Sequence, residues 1–210
     1  MNSPGVRRGQ FAALTAFVAF DVLMCIGTPY PRDQWLQQSP LVLAVFALAW
    51  SAWRMPLSHR SFALTLLFLG LHAIGARYVY SYVPYDAWTS RLFGFEVNAL
   101  CGFRRNHYDR LAHFCFGLLL ARPLRELVVR AIGSVGWFSY VATFALITAL
   151  GALYELAEWG VAMTFAPDWA DRYLGQQGDP WDAHWDMALA AFGAVLALVV
   201  IGVTRRLRDE

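Results

Sequence analysis

Six stretches of this chain, at about 10–28, 36–53, 62–82, 107–129, 137–164 and 182–203, are apolar over roughly the 20 residues that cross some 30 Å of hydrocarbon. Charged residues make up 15% of the 210, where a soluble domain carries roughly 25%. So few charges cannot cover a water-facing surface of this size. The pattern predicts an all-α membrane protein, a bundle of six transmembrane helices forming one polytopic domain over residues 1–210. The second stretch is the weakest. Gln37, Gln38, Ser39 and Pro40 precede its clean apolar part, so it spans only if a turn at Trp35 sits at the interface. The first follows Arg7 and Arg8 and carries Asp21, without a good small-residue cleavage site, and reads as a retained anchor.

All 17 basic residues are Arg and the net charge is +2, too small and too scattered for a nucleic-acid face. With the N-terminus inside, ten Arg fall on cytoplasmic segments, including Arg54, Arg60, Arg122, Arg125 and Arg130, against five outside. That bias predicts cytoplasmic N- and C-termini. Cys25, Cys101 and Cys115 have no metal-binding spacing and read as free thiols, with a Cys25–Cys101 bridge left open. The longest connection, about 82–106, is external and rich in aromatics; it is a lid, an interfacial helix or a passive aromatic belt.

Ionisable groups inside spans are costly and mark candidate sites. Asp109 and His113 are spaced i, i+4, and Glu155 and Glu158 i, i+3, so each pair shares a helix face. Asp179, Asp182 and Asp186 form one acidic stripe that Gly193 continues as a small one, suited to packing inside the bundle. His72, Arg77, Arg110 and Tyr154 are the further polar candidates. At 1.5 Å per residue, His72, His113, Glu155, Glu158, Asp186 and Asp21 all fall roughly 9–16 Å below the outer surface. Groups from several helices therefore share one layer.

Carboxylates crowded into low dielectric need cations or protons. A divalent metal (Zn, Mn, Fe or Mg) held by Asp109, His113, Glu155, Asp182 and Asp186 is one solution. Glu158 would then be general base in a hydrolase or transferase acting on lipid or envelope phosphates. A proton or cation path is the second, although below the layer only Thr143 and Thr148 interrupt the apolar inner halves of the last two spans. The third is a structural network in which Arg77 and Arg110 pair with the acids and fix helix register.

RNHYDRLAHFCFGLLLARPLRE, ALYELAEW and GQQGDPWDAHWDMALAAFGA, with LHAIGARYVYSYVP before them, resemble the YjdF-type bacterial inner-membrane family, DUF2238. The resemblance covers about 70–200 and implies a multi-pass inner-membrane protein with the lipid bilayer as its surroundings. Many members of that family carry His where Arg77 stands; if that position is a ligand in them, the resemblance implies that Arg77 is a lost ligand or a counter-ion. A looser pattern is similar to VanZ-like membrane proteins, through Asp109/His113, Glu155 and Asp182/Asp186 followed by Gly193. Neither resemblance implies a particular reaction, substrate or oligomeric state.

Overall fold

The computed structural model describes residues 4–165 and 170–209, and every regular element among them is a helix. In chain order these are α1 (Pro4–Cys25), α2 (Pro31–Arg54), α3 (His59–Arg77), α4 (Tyr85–Phe93), α5 (Val97–Cys101), α6 (Tyr108–Ile132), α7 (Trp137–Phe165), α8 (Ala170–Tyr173) and α9 (Asp182–Asp209). The six long ones coincide with the six apolar stretches. By length and hydropathy α1, α2, α7 and α9 can each cross a membrane. The 19 residues of α3 and 25 of α6 reach roughly 28 and 37 Å, but both carry ionisable side chains along their length. On α6 these sit at the two ends, where they build the site and the opposite rim. The aromatic connection folds into α4 and α5.

No turn forms at Trp35. Pro31, at the head of α2, needs no amide partner there and its ring sets a helical φ, so the helix starts about five residues earlier than expected. Pro40 inside it removes the amide that would bond Leu36, and the Ser39 hydroxyl donates to that carbonyl instead at 3.0 Å. Helix α2 therefore stays continuous through the proline. The thiols are free, and Cys25 accepts hydrogen bonds from the Gln34 and Gln38 side chains.

The bundle has two halves. Helices α1, α2 and α3 pack on one another around Leu14, Phe17, Leu41, Leu48 and Phe62. Helices α6, α7 and α9 pack around Ala121, Ile147, Ala194 and Leu198. The α3–α6 contact joins them, with Phe68 edge-on to Phe116 at 5.5 Å. Large side chains point outward all round: Leu43 is 71% exposed, Phe46 69%, Leu156 62% and Val200 60%. Apolar surface on that scale belongs against lipid.

The two ends differ. Gln10 donates to the Leu57 carbonyl, Glu126 accepts from Ser58 and Ser61, Arg130 donates to the Met55 and Pro56 carbonyls, and Arg205 and Arg125 both donate to the Val135 carbonyl. These contacts gather the start of α1, the α2–α3 and α6–α7 connections and the end of α9 at one Arg-rich end. Exposed Trp50, Trp53 and Trp137 lie near it, while exposed Trp35, Trp159, Trp181 and Trp185 lie near the other. Two tryptophan levels on one apolar barrel match the two interfaces of a bilayer.

Candidate functional site

The site is built where α6 crosses α9. A Cβ on Gly117 would overlap the Ala190 carbonyl oxygen, and one on Gly193 the Phe114 carbonyl oxygen. Only glycine allows the two backbones this close. Gly117 is one turn below His113 and Ala190 one turn below Asp186, so the crossing carries these two side chains to the same point. The small stripe expected at Gly193 is this contact.

Asp109, His113 and Asp186 each offer a ligand atom within 4.8 Å of the others. From α7, the Glu155 Oε1 stands 3.2 Å from His113 Nε2, and Asp109 Oδ1 stands 3.6 Å from the same nitrogen. Side chains of His113, Asp109 and Glu155 are 10–15% exposed, and Asp186 is 2% exposed. Leu153 and Leu156, flanking Tyr154 and Glu155, face outward at 61% and 62%, so the acid points in. Asp186 Oδ1 and Glu155 Oε1 are buried with no hydrogen-bond partner. Three donor groups thus converge, with Glu155 against His113, and these two oxygens are left without a hydrogen bond. A buried oxygen left this way costs free energy unless something else occupies the gap.

Glu158 lies one turn from Glu155 and accepts from Gln37 Nε2 at 3.1 Å, while Tyr154 donates to Gln37 Oε1 at 3.2 Å. One buried amide on α2 therefore holds both α7 groups. Next to it His72 Nε2 lies 3.0 Å from the Gln37 carbonyl, and Tyr80 Oη 2.5 Å from His72 Nδ1. A carbonyl only accepts, so Nε2 bears the proton, and Tyr80 donates to Nδ1. Both nitrogens of His72 are committed, which makes it a second layer behind the site. Tyr80 reaches it because Val79 and Tyr80 turn back in the left-handed region, at φ 50° and 48°, a strained conformation for a β-branched valine. Its ring covers Gly75, where a Cβ would meet Tyr80 Cε1 at 2.5 Å.

A rim of opposite charge closes the top. Arg110 lies 2.6 Å from Asp179 and 3.5 Å from Asp182; Arg105 pairs with Asp182 and lies 3.3 Å from Asp179. The Trp181 amide and then these guanidiniums hold the Asp179 carboxyl below its ordinary range. Gln177 and Asn106 exchange hydrogen bonds, Arg105 donates to the Gln176 carbonyl, and the Gly175 backbone lies over Asp109. The connection after α8 is thus pinned across the cluster.

Against the expected set, Asp109, His113, Glu155 and Asp186 meet, with Glu158 and Tyr154 beside them. Asp182 and Asp179 are drawn to the rim with Arg110, so Asp182 lies outside the group that shares one point. Arg77 is not in the pocket. Its guanidinium donates to the Met24, Ile26 and Gly27 carbonyls at 2.6–3.3 Å, because a helix C-terminus presents orphan carbonyls and partial negative charge. Asp21 pairs with Gln38 instead of joining the cluster. Gln37, Tyr80 and Arg105 were not expected. Gln37 had a signal, its place in the polar run Gln37-Gln38-Ser39 at the head of the second span; Arg105 had one in its charge opposite the acidic stripe.

The comparisons with known proteins agree with this picture of a membrane-embedded bundle. The profile of the family described as "Predicted membrane protein (DUF2238)" matches residues 10–207. The chain is 34% identical over 169 residues to the inner membrane protein YjdF of Escherichia coli (strain K12), covering 80% of this chain and 77% of that protein. No solved structure matches. The chain belongs to the DUF2238 family of membrane proteins.

Proposed function

We propose that this is a six-span inner-membrane protein, with both termini and the Arg-rich end cytoplasmic, that holds a divalent cation at Asp109, His113, Glu155 and Asp186 and uses it in hydrolysis or group transfer. The even number of long helices and the side on which the Arg collect support the orientation. One observation carries the site: ligand atoms of Asp109, His113 and Asp186 lie within 4.8 Å of one another with Glu155 Oε1 3.2 Å from His113, and the Asp186 and Glu155 oxygens are buried without a hydrogen bond. One imidazole with carboxylates suits Zn, Mn or Fe better than a softer ion. The cation would polarise an ester or phosphoryl oxygen. Glu158, aimed by Gln37, would take the proton from the attacking water, and Arg105 and Arg110 keep the rim neutral.

A proton or cation path has less support. The Thr143 and Thr148 hydroxyls donate to carbonyls of their own helix, so they offer no relay below the cluster. The enzymatic reading is tested by incubating zinc-loaded protein with bacterial polar lipid extract and following head-group release by mass spectrometry. Release by the wild type that is lost in Glu158→Gln supports it; equal release by both contradicts it.

A further inference from the structure

A cavity of about 360 Å³ runs from the cluster into the bundle. His72, Tyr80, Asp109, His113 and Tyr154 line one end; Leu41, Leu69, Phe68, Phe116, Leu120 and Leu150 line the rest. Its walls descend about seven residues on α3 (His72 to Thr65) and on α6 (His113 to Leu120), roughly 10 Å of helix. The Thr65 hydroxyl donates to the Ser61 carbonyl of its own helix, leaving its methyl to the cavity. The space lies on the seam between the two halves, where the Gln37 side chain bridges α2 to α7 at the polar end.

We propose that this cavity takes one hydrocarbon chain of about ten carbons bearing an anionic phosphate or carboxylate head, the head meeting the cation at His113 and Asp109. The inference rests on the metal reading above. Three features fix the class. At roughly 30 Å³ per water-sized group, the volume holds about a dozen chain atoms, one tail and not the two of a bilayer phospholipid. Its lining is apolar beyond the first turn, which excludes a sugar or a nucleotide there. The head end presents the Asp109 carboxyl and the His113 imidazole, with no Arg among the lining residues, so a cation is what would hold an anionic head there. Binding of such a chain is therefore metal-dependent, unlike simple partition into an apolar pocket.

The test uses the full chain in nanodiscs of two-chain phosphatidylcholine, avoiding single-chain detergent. Decyl phosphate carrying a terminal diazirine is photolysed with chelator-stripped protein, with and without zinc, and crosslinked peptides are mapped. Expected is zinc-dependent labelling around Thr65–Leu69 and Phe116–Leu120, reduced about tenfold by chelator and by Gly151→Leu. A Cβ at Gly151 meets only Ala190 Cβ, at 3.9 Å, so the larger side chain fills the cavity without breaking the helix; Ala44→Leu is the second blocking variant. Labelling confined to lipid-facing residues such as Leu43 and Leu153, or unchanged by zinc or by both variants, overturns the proposal. Zinc binding is measured in the same nanodiscs. Zinc bound without labelling overturns the amphiphile alone, whereas no zinc bound overturns the metal site as well.

Discussion

Gln37 and Glu158, 121 residues apart in the chain, meet at 3.1 Å across the seam between the two halves of the bundle. The same amide accepts from Tyr154, so a single side chain on α2 fixes the outer end of α7. Gln37→Ala leaves a carboxylate and a phenol in a dry layer without their partner. The expected cost is about 2 kcal/mol, read as a lower unfolding midpoint in detergent. Gln37→Glu sets a second acid against Glu158 and is more damaging than alanine; a glutamate as well tolerated as glutamine would contradict this placement.

The α6–α9 crossing makes a separate prediction. Gly117→Leu forces two backbones apart and costs about 1–3 kcal/mol or more, and it also spreads His113 from Asp186. Gly70→Ala is the control: nothing lies within 4 Å of the added methyl, and alanine in a helix is favoured over glycine by about 0.5–1 kcal/mol. Thermal unfolding of the two variants side by side should move in opposite directions.

Asp179 gives the rim its pH dependence. Its carboxyl is held below the ordinary value by the Trp181 amide and the two guanidiniums. A depressed folded value means the stabilisation is present above the unfolded pKa, roughly 4, and is lost as pH falls through the lowered one. Hydrogen exchange at the Trp181 amide, which donates to Asp179 Oδ1, should stay slow down to that range and quicken below it. In Asp179→Ala, which has no side-chain acceptor, it should be fast at neutral pH.

Much of this was legible beforehand for a simple reason. Apolar length located every long helix, and i, i+3 and i, i+4 spacing put Asp109 with His113 and Glu155 with Glu158 on common faces. What spacing could not decide was competition between partners. Arg77 looks like a counter-ion in sequence, but the carbonyls ending α1 are nearer than the acids. Asp182 fits the acidic stripe as well as Asp186 does, yet Arg105, from a connection whose path no periodicity describes, claims it. Tyr80 depends on two residues in left-handed conformation, and neither Val79 nor Tyr80 advertises that.

The division between Asp182 and Asp186 leads to the most direct measurement: elemental analysis of protein purified without chelator, comparing wild type, Asp186→Asn, His113→Ala and Asp182→Asn. The account predicts about one divalent metal per chain in the wild type, loss of it in the Asp186 and His113 variants, and retention in Asp182→Asn, whose residue serves the rim. A wild type free of metal, or metal that survives both Asp186→Asn and His113→Ala, would contradict it.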